Sequence, residues 1–132
     1  MRSPRLWAGM LAVDEARRQI GTALDTMGLG PQETAYEIAA EFAGARLRVY
    51  RQDERRNGPV LLIIPAPFKR PYIWDLLPEV SVVRRCLRRG LLVYLLEWLI
   101  PTADQDQFGI AEYADRLPIA AVDVIAAETG CR

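Results

Sequence analysis

The spacing of apolar positions divides the chain into a helical opening, a series of strand-like runs and a helical close. Leu6, Met10, Val13, Ile20, Leu24 and Met27 fall at helical intervals, with Asp14, Arg17, Arg18 and Asp25 between them. This is the pattern of an amphipathic helix, and Gly28-Leu29-Gly30-Pro31 supplies its stop. Its apolar stripe calls for a partner surface, on this chain or on another subunit. Residues 32–45 carry two readings: their alanine content favours helix, whereas Thr34-Ala35-Tyr36 suits a short strand, so mixed structure is expected. Arg46-Leu47-Arg48-Val49-Tyr50-Arg51 alternates polar with apolar side chains, as a half-buried strand does. The charged stretch 52–58 ends in the turn dipeptide Asn57-Gly58 and predicts a hairpin connection into Val60-Leu61-Leu62-Ile63-Ile64. That run is apolar on both faces, as expected of a strand covered by helices on each side.

A proline-rich loop follows, Pro65-Ala66-Pro67-Phe68-Lys69-Arg70-Pro71. Ser81 then predicts the cap of a short helix with Val82, Val83, Cys86 and Leu87 on one face and Gly90 at its end. Leu91-Leu92-Val93-Tyr94-Leu95-Leu96-Glu97-Trp98 reads as a second doubly buried strand. Strand, helix and strand in that order predict a right-handed parallel crossover. Ile110, Tyr113, Leu117, Ala121, Val124 and Ile125 mark a last helix, which Pro118 should kink or split. Thr129-Gly130 ends it, where a third parallel strand is the expected continuation. The domain reading is therefore a helical segment over residues 1–31 and an α/β segment over residues 32–132.

Composition narrows the function classes. With 51% apolar residues the 132-residue chain has material for a packed core. Its 17 basic and 17 acidic residues cancel, which gives no reason to expect nucleic acid as a partner. The charge is uneven: arginines and Lys69 crowd residues 46–89, and carboxylates crowd residues 104–128. One reading is solvated faces that neutralise one another in the fold; the other is a basic rim for an anionic substrate such as a CoA thioester. Two cysteines, and an apolar run near the start broken by Asp14 and Glu15, predict a reduced, cytoplasmic protein without a signal peptide. The most apolar stretch, residues 91–100, is far short of a membrane span.

Several motifs are excluded by their context. Gly28-Leu29-Gly30 follows a helix and lacks the third glycine of a dinucleotide fingerprint. Two distant cysteines and no histidine cannot build a zinc site, and no metal or other cofactor is expected. Asp104-Gln105-Asp106 has the chemistry for a hard cation, but it reads first as a solvated acidic loop. Cys86 lies on an apolar helix face and reads as a core residue. Cys131 lacks the glycine-flanked strand–turn–helix of a nucleophile elbow. Without histidine the usual acyl-transfer triad is absent, so no catalytic residue is assigned. The loop over residues 65–77 is more telling. It leaves a parallel strand at the carboxyl edge of the sheet, where open α/β sheets bind ligands.

The residues from Val60 to Leu76, with their strand ending in Pro65, the Phe68-Lys69-Arg70 turn and Tyr72-Ile73-Trp74-Asp75-Leu76, resemble the corresponding run of poly(3-hydroxyalkanoate) synthases and their α/β-hydrolase relatives. Ser81-Val82-Val83-Arg84 resembles that family's Ser-x-Val-Arg helix start. Val93-Tyr94-Leu95-Leu96-Glu97-Trp98 resembles its Val-Tyr-Leu-Ile-Asp-Trp strand, with Glu97 in place of aspartate. Ile110-Ala111-Glu112-Tyr113 and Ala121-Val122-Asp123 resemble its next helix. The resemblance runs from about residue 46 to residue 130. It implies an incomplete α/β-hydrolase fold, comprising the first strands and the first βαβ crossover, behind an amphipathic helix. The Cys- or Ser-bearing elbow, the acid and the histidine of the family would fall beyond residue 132. By alignment Phe68 would offer an oxyanion N–H, and Lys69, Arg70 and Tyr72 would flank the pocket entrance. The implied activity of the intact family is transfer of a 3-hydroxyacyl group from 3-hydroxyacyl-CoA to a polyester. A serine esterase or depolymerase of the same fold is the alternative, as is an accessory protein that binds a synthase subunit or polymer granule. The expected chain is a fragment or split product, inactive alone, with an unpaired apolar sheet edge that makes it marginally stable.

Overall fold

The computed structural model describes residues 4–51, 58–67 and 69–131, with residues 4–12 and Asp14 as backbone only. It divides into two compact units, Met1–Gln32 and Glu33–Arg132. The first is helix α1 (Pro4–Thr26). Gly28, with φ at 72°, turns the chain out of the helix, and Leu29 N–H returns to the Leu24 carbonyl. This is the left-handed stop that glycine allows at least cost. Val13, Ile20, Leu24 and Met27 of the expected stripe are exposed. The side chains of Leu6 and Met10 lie outside the described residues.

The second unit is a mixed α/β structure. Strands β1 (Glu37–Phe42), β2 (Ala45–Tyr50), β3 (Val60–Ile63) and β6 (Leu92–Trp98) form one sheet in the order β1-β2-β6-β3. Strands β4 (Asp75–Leu77) and β5 (Val80–Ser81) form a separate two-stranded ribbon. β1 and β2 make an antiparallel hairpin through Gly44, whose φ of 89° suits the tight turn. The strand in the ambiguous segment thus begins at Glu37, after Thr34-Ala35-Tyr36.

β2 pairs antiparallel with β6 from Ala45↔Trp98 to Tyr50↔Val93, and β3 pairs parallel with β6 from Val60↔Leu92 to Ile63↔Leu95. The expected hairpin between β2 and β3 is therefore not formed, because β6 lies between them. Residues 52–57 of that connection are outside the described residues. The physical reason is burial. β6 is buried at all seven positions and needs a neighbour on each side, whereas β3 has four residues and is only part-buried at three. The longer apolar strand takes the centre.

Each face of the sheet carries its own core. Ala45, Leu47 and Val49 of β2 and Leu92, Tyr94, Leu96 and Trp98 of β6 pack with Leu117, Ala121 and Ile125 of α3 (Leu117–Thr129). On the other face Tyr50, Ile63, Val93 and Leu95 pack with Val83 and Leu87 of α2 (Val82–Arg88), and Cys86 borders them. Ser81 caps α2 by accepting from Arg84 N–H at 2.9 Å. Pro118 divides the last helix. The turn Glu112–Arg116 is π-helical, its widened loop closed by Leu117 N–H on the Glu112 carbonyl, and Pro118 falls in the first turn of α3. The widened turn is where the helix accommodates the N–H that Pro118 lacks. Ile110, counted with the apolar stripe, is 85% exposed instead.

Close backbone approach explains one glycine. A Cβ on Gly58 would sit 1.8 Å from the Gly90 carbonyl oxygen, where Leu92 N–H also bonds the Pro59 carbonyl. The start of β3 is thereby fixed against the turn after α2.

Candidate functional site

β3 and β6 run parallel with Ile63 opposite Leu95, and β6 continues three residues further to Trp98, so the loops that leave them lie at the same carboxyl edge of the sheet. Trp98 ties the two. Its indole N–H, buried, donates to the carbonyl of Pro65 at 2.7 Å. The loop then turns back on itself through Lys69 N–H to the Ala66 carbonyl at 2.8 Å. Pro71 is buried and opens a 3₁₀ turn, Pro71–Trp74, that carries Tyr72 and Ile73 to the surface. Of the residues read as pocket elements, Lys69 and Arg70 are exposed and Tyr72 is 38% exposed, all on this loop. Phe68 lies outside the described residues.

Asp75 anchors the far end of the loop. Fully buried, it accepts from Thr34 through both the backbone N–H and the hydroxyl, and from Ser81 Oγ at 2.6 Å. Arg84 Nε lies 3.8 Å from it and donates to the Thr34 hydroxyl at 2.8 Å. A buried carboxylate needs such company, since an unpaired charge away from water is strongly disfavoured. One side chain thus joins the segment before β1, the ribbon and the cap of α2. The other side of Trp98 meets Tyr113 edge-on at 5.5 Å, and Tyr113 in turn meets Phe108 at 6.2 Å.

A second polar cluster crosses the sheet at the end of β6. Glu97 accepts from Arg46 Nε and Arg48 Nε, each at 2.6 Å, and Arg48 reaches on to Glu33 at 2.7 Å with its guanidinium 4.0 Å from the Tyr36 ring centre. Arg48 is only 3% exposed, so β2 is buried on both faces, not half-buried. Burial opposes ionisation of Glu97, but the hydrogen bonds from Arg48 and Arg46 outweigh it and hold its carboxyl below the usual range. Burial likewise works against the Arg48 cation, and its bonds to Glu97 and Glu33, with the nearby Tyr50 hydroxyl, raise its pKa despite that. Tyr50 has a buried hydroxyl with no hydrogen-bond partner in ordinary geometry, and burial pushes it up to about 12 against the pull of Arg48. Tyr94 is also raised to about 12, by burial and then by its bond to Glu128 at 2.8 Å.

These pairs account for part of the arginine-rich middle. Arg46 and Arg48 are spent on Glu97 and Glu33, Arg84 lies against Asp75, and Arg51 lies 3.6 Å from both Glu37 and Glu128. These arginines are neutralised within the fold, while Arg85, Arg88 and Arg89 are exposed and Lys69 and Arg70 lie on the carboxyl-edge loop. Asp75 and Glu97 escaped the site reading of the sequence. Glu97 was detectable in principle, as one acid within a doubly apolar strand opposite two arginines spaced by two. Asp75 had no such signal, because its partners are 41 residues before it and six after it.

The remaining candidates stay apart. Cys86 borders the core and Cys131 is exposed, and the two are unbonded. Asp104 sits in a 3₁₀ turn, Ala103–Gln105, where the Thr102 hydroxyl bonds its carboxylate. Among the described residues no cluster of acidic, cysteine or histidine side chains could hold a metal ion, and no helix is long and apolar enough to cross a membrane. A shallow hollow of about 150 Å³ is lined by Ala35, Tyr36, Glu37, Val49 and Arg51, on the β1–β2 side and not by the loop.

No family model matches the chain. Individual proteins do. The chain is 38% identical over 79 residues to poly(3-hydroxyalkanoate) polymerase 1 of Ectopseudomonas oleovorans, covering 60% of this chain and 14% of that protein. It is 32% identical over 126 residues to the poly(3-hydroxyalkanoate) polymerase subunit PhaC of Haloarcula marismortui, covering 89% of this chain and 26% of that one. The PhaC subunit of Haloferax mediterranei is 30% identical over 105 residues, covering 80% and 21%. The chain thus spans between 14% and 26% of the length of these relatives. With this similarity over much of its length, the chain belongs to the poly(3-hydroxyalkanoate) synthase-like family, as the counterpart of a part of its members.

Proposed function

We propose that this chain supplies the first strands and the oxyanion-side loop of an α/β-hydrolase-type acyltransferase that moves a 3-hydroxyacyl group from CoA to a polyester. The observation that carries the reading is the carboxyl edge of β3 and β6, where one loop presents a basic pair and an aromatic side chain together. In this reading the resemblance to the family assigns the oxyanion N–H to Phe68, which unlike Pro65 and Pro67 has an N–H to give. Lys69 and Arg70 meet the CoA phosphates, and Tyr72 borders the entrance. A backbone N–H aimed at a developing oxyanion stabilises the transition state without changing protonation. The chain has no histidine, so a histidine base for such a reaction is not among its residues. The free side of β3, which pairs only with β6 among the described strands, is where a nucleophile-bearing strand would add.

The test is equilibrium binding of 3-hydroxybutyryl-CoA to the full chain. Saturable binding is expected, weakened about ten-fold by Lys69→Ala with Arg70→Ala and falling with salt, as phosphate contacts do. Binding that ignores both the double substitution and salt would contradict the site. An accessory role is the second reading, favoured by the exposed Val13, Ile20, Leu24 and Met27 of α1. It predicts capture of a synthase subunit or polymer granule by α1, lost when these four become serine.

A further inference from the structure

We infer that Trp98 is a positioning residue for the carboxyl-edge loop, acting through a hydrogen bond to backbone and not through contact with a ligand. Its indole N–H is buried and has one acceptor, the Pro65 carbonyl at 2.7 Å. Pro65 is the second residue after β3, and its own nitrogen carries no hydrogen, so the β3 ladder cannot hold this part of the backbone from the donor side. The carbonyl is therefore the handle by which the loop is held. One residue later the Ala66 carbonyl receives Lys69 N–H, so the turn bearing Lys69 starts from the point that Trp98 fixes. Trp98 is itself rigid: it ends the fully buried strand β6, is 7% exposed, and packs edge-on against Tyr113.

The contrast with the other described indole supports a specific role. Trp74, on the same loop, has a buried N–H without a partner, and packs on the α2 face as a hydrophobic body. Trp98 sits on the opposite face and reaches across the end of the sheet to the loop. The two strand ends and the π-helical turn that holds Tyr113 are thereby coupled through one side chain. The relevance of this latch to a ligand rests on the carboxyl-edge reading above; the latch itself does not.

The test replaces Trp98 in the full chain by β-(3-benzothienyl)alanine, which keeps the ring shape and deletes the N–H, and follows amide exchange by NMR. The amide of Lys69 should exchange at least about ten-fold faster, while ladder amides of β2 and β6 such as Leu47 and Leu95 stay within about two-fold. Trp98→Phe should give the same local loosening above any general loss. A Lys69 amide that does not respond, or one that speeds up only in step with the ladder, would overturn the proposal. A second arm measures 3-hydroxybutyryl-CoA affinity, expected to fall at least about five-fold in the isosteric variant. Unchanged affinity beside a loosened turn would overturn the ligand-positioning role. Absence of binding to the unaltered chain would overturn the acyl-CoA reading and leave the exchange result to decide the latch.

Discussion

Glu97 holds two arginines of the neighbouring strand, Arg46 and Arg48, in one buried cluster. Removing one partner from a buried ion pair leaves the other charge without compensation, which costs about 3–5 kcal/mol. Glu97→Gln should lower unfolding stability by about that amount in urea titration, because Arg48 stays buried. Glu97→Asp, which keeps the charge on a shorter stem, should cost clearly less. The pH dependence follows from the same cluster. The folded pKa of Glu97 lies below its ordinary value of 4.5, so its contribution is fully present above that value and is lost as pH falls through the lowered one. Tyr50 and Tyr94 act in the opposite sense. Raised from 10 to about 12, they favour the fold below pH 10 and withdraw that support as pH rises toward 12. Denaturant midpoints should therefore be level from about pH 6 to 9 and fall on both sides. A midpoint still rising below pH 4 would contradict the Glu97 assignment.

Elements were legible where their signal was local. β6 read as a doubly buried strand because its apolar run is unbroken but for Glu97, and the cap of α2 read correctly from Ser81. The split in the last helix followed from Pro118 alone. The pairing of β2 with β3 did not read correctly. A turn dipeptide reports that the chain reverses, not whether a later strand will enter between the two arms. That later strand was β6, some thirty residues on. Two substitutions test the element boundaries. Gly58→Ala should destabilise by about 1–3 kcal/mol, since its methyl would collide with the Gly90 carbonyl. Pro118→Ala should change stability by less than about 1 kcal/mol, because the π-helical turn before α3 already accommodates the missing N–H. Thermal melts of the two variants beside the parent chain would rank them.

In the molecule as a whole, the two sheet edges are unlike. β1 presents Glu37 and Glu41 and a register shift between Ile38 and Ala40, devices that discourage further pairing. β3 presents Val60, Leu61 and Leu62 without charge or irregularity. The chain should accordingly self-associate with rising concentration, and a lysine at Leu61 should suppress this, as sedimentation velocity would show. The oxyanion-side proposal rests on family resemblance, since nothing in the local pattern distinguishes Pro65-Ala66-Pro67 from any strand ending in proline. The structure adds the latch from Trp98 and the anchor at Asp75, both made by residues too far apart in sequence to be paired by spacing. The most direct measurement of the account is an NMR titration of the chain with 3-hydroxybutyryl-CoA. The account predicts shift changes concentrated at Lys69, Arg70 and Tyr72 and at the Trp98 indole. Shifts confined to the hollow around Tyr36, Glu37 and Arg51, with the carboxyl-edge loop silent, would contradict it.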